Sequence, residues 1–384
     1  MLREAVMESN VRKPYLDRTK LLVIKVGTSV LSDKEGRISS RAIAGLCRQV
    51  AEIREDGRKA VLVSSGAIAA GVEKLGLKKR PSRLPELQAA AAVGQGHLMA
   101  FYSRRLANHG LNSAQLLLTR EDFGERRRYL NARNTILSLL RMDTVPVINE
   151  NDTVSTEEIT FGENDTLSAL VGGLVEAQLL VLLTDVEGLV QKGRGKGHEV
   201  VKTIEKITQE TYNCVWEEKA SDLTVGGMRS KLTAAEIATE GGQSVIIADG
   251  NQRDIVPRLL KGEELGTFFP GREEPIRSRK RWLGRAAISK GKITVDDGAR
   301  EALIQRGKSL LPSGIVGVSG SFEAGELVSI CTANGEEFAR GLSNYSSADL
   351  LKIKGVQCSD IERALGYCAY DEAVHRDNLL VLRG

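Results

Sequence analysis

Asn149, Glu150, Asn151 and Asp152 follow directly on the apolar residues Val145, Val147 and Ile148. Gly162, Glu163, Asn164 and Asp165 then repeat the pattern just ahead of another apolar segment. Carboxylates and amides this dense at the mouth of a buried strand are not there for packing, because burying them unpaired costs kilocalories each. They either cap and turn the backbone or bind something polar.

Four further places carry chemistry of the same kind. Lys25 interrupts the apolar run 21–26 and is followed by Gly27, Thr28 and Ser29. A lysine there reaches an anion or water at the strand end, or else the strand is an edge from which it snorkels. The run 60–64 ends in Ser64, Ser65 and Gly66, small residues that open a helix; this is an anion site at a helix N-terminus or an ordinary serine cap. Thr184 and Asp185 end the run 179–183 and are read as a polar strand terminus or an Asx turn. Val225, Gly226, Gly227, Met228, Arg229, Ser230 and Lys231 form a glycine pair opening a helix with a lysine one turn in. Such a loop can hold phosphates through backbone donors and one ammonium.

Other chemistries are disfavoured. Gly307-Lys308-Ser309 has Ala302 where a Walker A glycine would stand, and no G-x-G-x-x-G occurs. His97, His109, His198 and His375 lie far apart without metal-ligand or triad spacing. No metal site is expected from the protein side chains.

The elements that must position these residues alternate along the first two-thirds of the chain. Strands are expected at 21–26, 60–64, 113–118, 145–148, 179–184 and 244–248, and helices at 40–55, 83–108, 129–140, 167–176 and 230–240. Several strands are apolar on consecutive residues, as in strands covered on both faces. The fold class is therefore α/β, a mainly parallel sheet sandwiched by helices. Ligands bind such sheets beyond the C-terminal strand ends, where the polar clusters fall. A charged stretch at 271–281 reads as a linker. Beyond it lie short glycine-punctuated strands at 284–288, 291–295, 314–319, 326–330 and 337–342, with a helix at 297–306. This is a small β-rich, barrel-like module.

Bulk properties agree. A chain of 384 residues, 41% hydrophobic and 27% charged, has the composition of a two-domain soluble protein. Its net charge of +4 does not announce a nucleic-acid binder. The five cysteines are scattered without CxxC spacing, so a reducing, cytoplasmic setting is the default. Residues 1–20 carry Glu4, Glu8 and Asp17 and no apolar core, which argues against a signal peptide. The apolar stretch 167–183 is broken by Glu176 and Gln178, so no membrane association is expected.

Taken together, KVGTSVL (25–31), SSGAIAAG (64–71), QAAAAVGQ (88–95), YLNARNT (129–135), PVINENDTV (146–154), GENDTLSA (162–169), LLTDVEGL (182–189) and GGMRSK (226–231) resemble the amino acid kinase family. Within it they resemble the branch that phosphorylates glutamate. KRWLGRAAISKGKITVDDGA (280–299) and the residues after it resemble a PUA domain. The resemblance implies an amino acid kinase catalytic domain at 18–271, a linker at 272–281 and a PUA domain at 282–372.

The resemblance further implies transfer of the ATP γ-phosphate to the side-chain carboxylate of L-glutamate, the first step toward proline. It assigns Ser65, Asp152 and Asn164 to glutamate. To ATP it assigns Thr184, Asp185 and Val225, Gly226, Gly227, Met228, Arg229, Ser230 and Lys231, with Lys25 touching the phosphates from the other side. Lys25 and Lys231 are the expected clamps on the transferring charge, and Asp165 the acid that orients them. Mg²⁺ is expected to bridge the ATP phosphates. Asp152 with the Asn149 and Asn164 amides suits an α-ammonium, since carboxylates repel phosphate. Proline as a feedback inhibitor, a reductase that takes the labile acyl phosphate, and a dimer or tetramer also follow from the family.

Val225 departs from the family, which usually has threonine there, and the N-terminal extension has no assigned role. Competing readings are a sibling kinase acting on acetylglutamate, aspartate, carbamate or a nucleoside monophosphate, an RNA-binding or RNA-modifying protein working through the PUA module, and a catalytically silent regulator.

Overall fold

The computed structural model describes residues 11–33, 35–124, 126–154, 163–192, 198–213, 227–272, 289–368 and 370–382. Contacts group the chain into two units, Met1–Asp122 with Tyr129–Pro275, and Phe123–Arg128 with Ile276–Gly384.

In the first unit the consecutive apolar runs become strands with both faces covered. They are β1 (Leu21–Val26), β2 (Lys59–Ser64), β3 (Asn112–Leu118), β4 (Thr144–Glu150) and β5 (Leu179–Thr184). A short antiparallel pair follows, β6 (Val190–Lys192) and β7 (His198–Val200), and then β8 (Ser244–Asp249) and β9 (Thr267–Phe269). Every residue of β5 is buried. The seven-stranded sheet runs β3-β4-β2-β1-β5-β8-β9. All neighbours are parallel except β8 and β9. This is the α/β architecture expected from the alternating pattern. β1 lies in the middle, with Lys25 opposite Val63 on one side and Leu182 on the other. The edge-strand reading of that lysine is thereby removed.

Three boundaries differ from expectation in ways that matter for the site. The helix expected at 167–176 begins earlier, as Glu163–Val175, so Asn164 and Asp165 stand in its first turn. Short polar and acidic residues belong there, because the helix N-terminus offers unpaired N–H groups and a positive dipole end. The helix expected at 230–240 is Met228–Glu240, with Gly227 as its N-cap. The strand expected at 145–148 continues to Glu150 and carries Asn149 within it.

Helix Glu163–Val175 touches both β1 and helix Met228–Glu240, which brings their polar ends to one place. Helices Ala67–Lys74 and Leu84–Ala107 approach backbone to backbone. A Cβ on Gly94 would strike the carbonyl of Ala67, so only glycine allows that contact. Gly66, at φ 98°, makes the left-handed turn between β2 and helix Ala67–Lys74. The N-terminal extension acquires a role at Arg12. Buried to 2% exposure, it donates to the carbonyls of Leu265, Lys202 and Gly266 at 2.6, 2.6 and 3.0 Å.

The second unit holds a five-stranded mixed sheet, β10 (Gly291–Val295), β11 (Ile315–Gly320), β12 (Leu327–Cys331), β13 (Glu337–Leu342) and β14 (Leu379–Val381), in the order β11-β10-β12-β13-β14. Ile293, Val328, Ile330, Leu350 and Ile353 are fully buried in its core. The strand expected at 284–288, and the linker from residue 273 on, lie outside the described residues. The sheet runs beyond residue 372, because β14 pairs with β13. No helix among the described residues is long and apolar enough to cross a membrane.

Candidate active site

Two polar assemblies meet at the C-terminal ends of the central strands, and consecutive residues join them. The first is built on Asp165, which is fully buried. Lys25 Nζ, from β1, lies 2.6 Å from its Oδ1. Lys231 Nζ, one turn into helix Met228–Glu240, lies 3.4 Å from its Oδ2. Ser230 Oγ donates to the same Oδ2 at 2.8 Å. Both lysines are themselves 7% exposed.

Two ammonium groups thus share one buried carboxylate, and Asp185, at the end of β5, adds its negative charge to Lys231. Paired cations at the end of a parallel strand are placed to meet the charge of an anionic ligand. Burial by itself would raise the Asp165 carboxyl, but Lys25 and then Lys231 overrule it and hold the group below the ordinary carboxylate value. Burial pulls Lys231 below the ordinary lysine value, against the opposing attraction of Asp165.

The second assembly starts at Asn164. Its Nδ2 donates to Ser65 Oγ at 3.2 Å and to Asn149 Oδ1 at 3.1 Å. Asn149 Nδ2 donates in turn to Gln95 Oε1 at 2.8 Å. Asn164 Oδ1 is buried and accepts no hydrogen bond among the described residues. An acceptor left dry costs about 1–3 kcal/mol, which a cationic N–H donor would recover. Ser65 therefore faces Asn164 across the strand ends, besides standing at a turn into a helix.

Thr184 and Asp185 end β5, where Thr184 Oγ1 donates to Asp185 Oδ1 at 3.0 Å, the local bond of a polar turn. Gly250 N donates to Thr184 O at 2.7 Å. Gly227, Met228 and Arg229 open the helix that carries Ser230 and Lys231. Its 13 residues make the helix long enough for a useful positive end near an anion. Asp152 lies in the turn after β4, within electrostatic reach of Arg80. Val225 and Gly226 lie outside the described residues.

Two contributions were not assigned from residue types. Gln95 terminates the amide chain, and only its place in QAAAAVGQ pointed to it. Ser230, assigned to ATP, is in addition a hydrogen-bond donor to Asp165. Among the described residues no three His, Cys, Asp or Glu side chains come together as a metal cage.

Residues 20–249 match the amino acid kinase family and residues 291–365 the PUA domain. The glutamate 5-kinase of Moorella thermoacetica is 48% identical over 369 residues, 96% of this chain and 97% of that protein. That of Caldanaerobacter subterraneus is 46% identical over 363 residues, 94% of this chain and 97% of that protein. The glutamate 5-kinase of Pelobacter propionicus is 45% identical over 374 residues, 97% of this chain and 100% of that protein.

Proposed function

The chain belongs to the amino acid kinase family, and from that premise we propose that it transfers the γ-phosphate of ATP to the side-chain carboxylate of L-glutamate, giving L-glutamyl 5-phosphate, the first step of proline biosynthesis. One observation carries the reading. Asn164 and Asp165 are neighbours in the chain, yet one belongs to an amide cluster with a vacant acceptor and the other to a doubly cationic cluster. Adjacent residues of a single helix turn thus serve the two substrates, Asn164 through its amide and Asp165 by positioning the two lysines that meet the phosphate donor.

The chemistry asks little of the protein beyond placement. A glutamate side chain, with an ordinary pKa of about 4.3, is already an anion at neutral pH, so no general base is needed. One carboxylate oxygen attacks the γ-phosphorus, the bond to the β,γ-bridging oxygen breaks, and ADP leaves with that electron pair. The obstacle is bringing two anions together and stabilising charge on the phosphoryl group in flight. Lys25 and Lys231 answer that charge from two sides. Asp165 positions both ammonium groups, and the Ser230 hydroxyl holds Asp165. Thr184, Asp185 and residues 225–231 line the nucleotide.

Ser65, Asn164 and Asp152 hold the amino acid, with its α-ammonium given to Asn164 Oδ1 and the Asp152 carboxylate. Asp165 is committed to its lysines and no three acidic, His or Cys side chains converge among the described residues, so a Mg²⁺ ion would be held chiefly by the triphosphate itself and would supply charge neutralisation there. Proline, which shares the α-carboxylate and carries a charged secondary α-ammonium, would compete for the glutamate half. A cytoplasmic homo-oligomer that hands its labile product to a reductase completes the picture.

The test is a coupled ADP-release assay with glutamate, N-acetylglutamate and aspartate in parallel, with and without proline. Glutamate should be turned over at least tenfold better than either rival, because only it offers both a free α-ammonium and the longer side chain. Asp152→Ala should raise KM for glutamate about tenfold while moving KM for ATP less than twofold. Equal use of N-acetylglutamate, or equal shifts of both KM values, would overturn the assignment.

A further inference from the structure

The opposite end of the same sheet holds a second concave site. A cavity of about 340 Å³ opens beneath the N-terminal ends of β2, β3 and β4. That volume lies at the lower end of the range for small-ligand pockets, roughly 300–1,000 Å³. Arg54, Arg58, Lys59 and His109 stand on its wall, with Glu55 and Asp143 as its acids. β2 begins at Lys59 and β4 directly after Asp143, whereas Ser65 and Asn149 lie at the far ends of those strands.

Arg54 is the telling residue. Its side chain is 8% exposed and its guanidinium forms an ion pair with Asp143, whose own side chain is 78% exposed. Arg54 Nη1 is buried and finds no acceptor among the described residues. Position alone explains part of this, because Arg54 sits in the last turn of helix Ser40–Glu55, where a cation suits the helix dipole. The dipole does not explain why a charged donor is left dry.

Its neighbours are only partly answered. Lys59 Nζ donates to the neutral carbonyl of Leu140 at 2.9 Å. Arg58 donates from Nε to the Thr19 carbonyl at 3.1 Å and pairs with Asp56 at 3.5 Å. A guanidinium with a free donor beside an ammonium held by an uncharged oxygen is the arrangement that oxoanions complete, through short charge-assisted hydrogen bonds.

We propose that this cavity binds a compact oxoanion, a phosphate or a small carboxylate, with Arg54 and Lys59 as its cationic contacts. Asp143 keeps one side of the guanidinium, and the anion takes the donor that Asp143 leaves over. The site is separate from the one that handles ATP and glutamate, at the opposite ends of the same strands.

Calorimetry on the full chain tests it, with the strand-end site first saturated by glutamate and a non-hydrolysable ATP analogue. Inorganic phosphate and succinate are then titrated separately. At least one should bind saturably at a single site, and which of them does so identifies the head group. Arg54→Met should weaken that binding roughly tenfold and Lys59→Met about threefold to fivefold, with kcat unchanged within twofold. Should Arg54→Met fail to fold, Lys59→Met and the Lys59→Met/His109→Ala double variant read the same cavity from surface positions. No saturable binding of either anion, or unchanged affinity in every folded variant, would overturn the proposal.

Discussion

At one end of the parallel sheet two lysines share a carboxylate with no exposure, while at the other end Arg54 shares its charge with an aspartate that is 78% exposed. The cations are buried to a similar degree in both places. The acids are not, and that difference decides what each pair is worth. Water screens Asp143 and can replace it, so the interaction belongs with surface ion pairs. Asp165 has no such substitute. Removing it would leave two ammonium groups facing each other in a low-dielectric interior.

The largest expected effect follows from that contrast. Asp165→Asn should lower unfolding free energy by about 3–5 kcal/mol, while Asp143→Asn should change it by less than about 1 kcal/mol, both read from urea midpoints. Asparagine also tolerates the left-handed backbone that Asp143 adopts at φ 57°. The acid limb of stability separates them further. The folded Asp165 carboxyl lies below its ordinary value, so its contribution is complete above the unfolded pKa and is lost as pH falls through the folded one. Asp165→Asn should therefore flatten the stability profile below about pH 4. Comparable losses in the two variants would mean that burial of the acid is not what separates the two ends.

The next effect is smaller in energy and specific to turnover. Lys231→Met removes one of the two charges facing the phosphoryl group and should lower kcat roughly 10²–10³-fold. Glutamate affinity, measured by calorimetry, should survive, because the amide cluster is untouched. Burial pulls Lys231 below the ordinary lysine value, so the wild type should lose kcat/KM on the alkaline side as this ammonium deprotonates. Lys231→Arg keeps its charge there and should shift that limb upward. Full turnover in Lys231→Met would remove the lysine from the chemistry.

How much of this could be read in advance depends on whether a residue's role is local. Lys25 stood out because a charge within LLVIKV is costly anywhere, and the crossover pattern already implied a parallel sheet. Whether that lysine snorkelled from an edge could not be read, since strand order is a property of the whole chain; the central place of β1 decides it. Asn164 and Asp165 looked like loop residues because apolar periodicity starts only at Leu167. Polar helix starts carry no periodicity, so the boundary fell a turn late. Arg12 looked like an unassigned tail, and only the folded chain brings the carbonyls of Lys202, Leu265 and Gly266 to it.

Gln95 shows the same limit most sharply and supplies the smallest test. Its neighbours QAAAAVGQ describe a helix and nothing more, yet the backbone contact at Gly94 seats Gln95 where its Oε1 accepts from Asn149 Nδ2 at 2.8 Å. Gln95→Leu keeps the bulk and the helix propensity but withdraws that acceptor. Asn149 is 2% exposed, so its amide would be left unpaired at a cost of about 1–3 kcal/mol or would turn away from Asn164. Either outcome loosens the grip on glutamate without touching the lysine cluster. KM for glutamate should rise roughly fivefold to tenfold with KM for ATP and kcat nearly constant. Gln95→Glu, which restores an acceptor oxygen, should bring KM most of the way back. A merely structural role for the helix would move Tm and both KM values together, and Gln95→Glu would then rescue nothing.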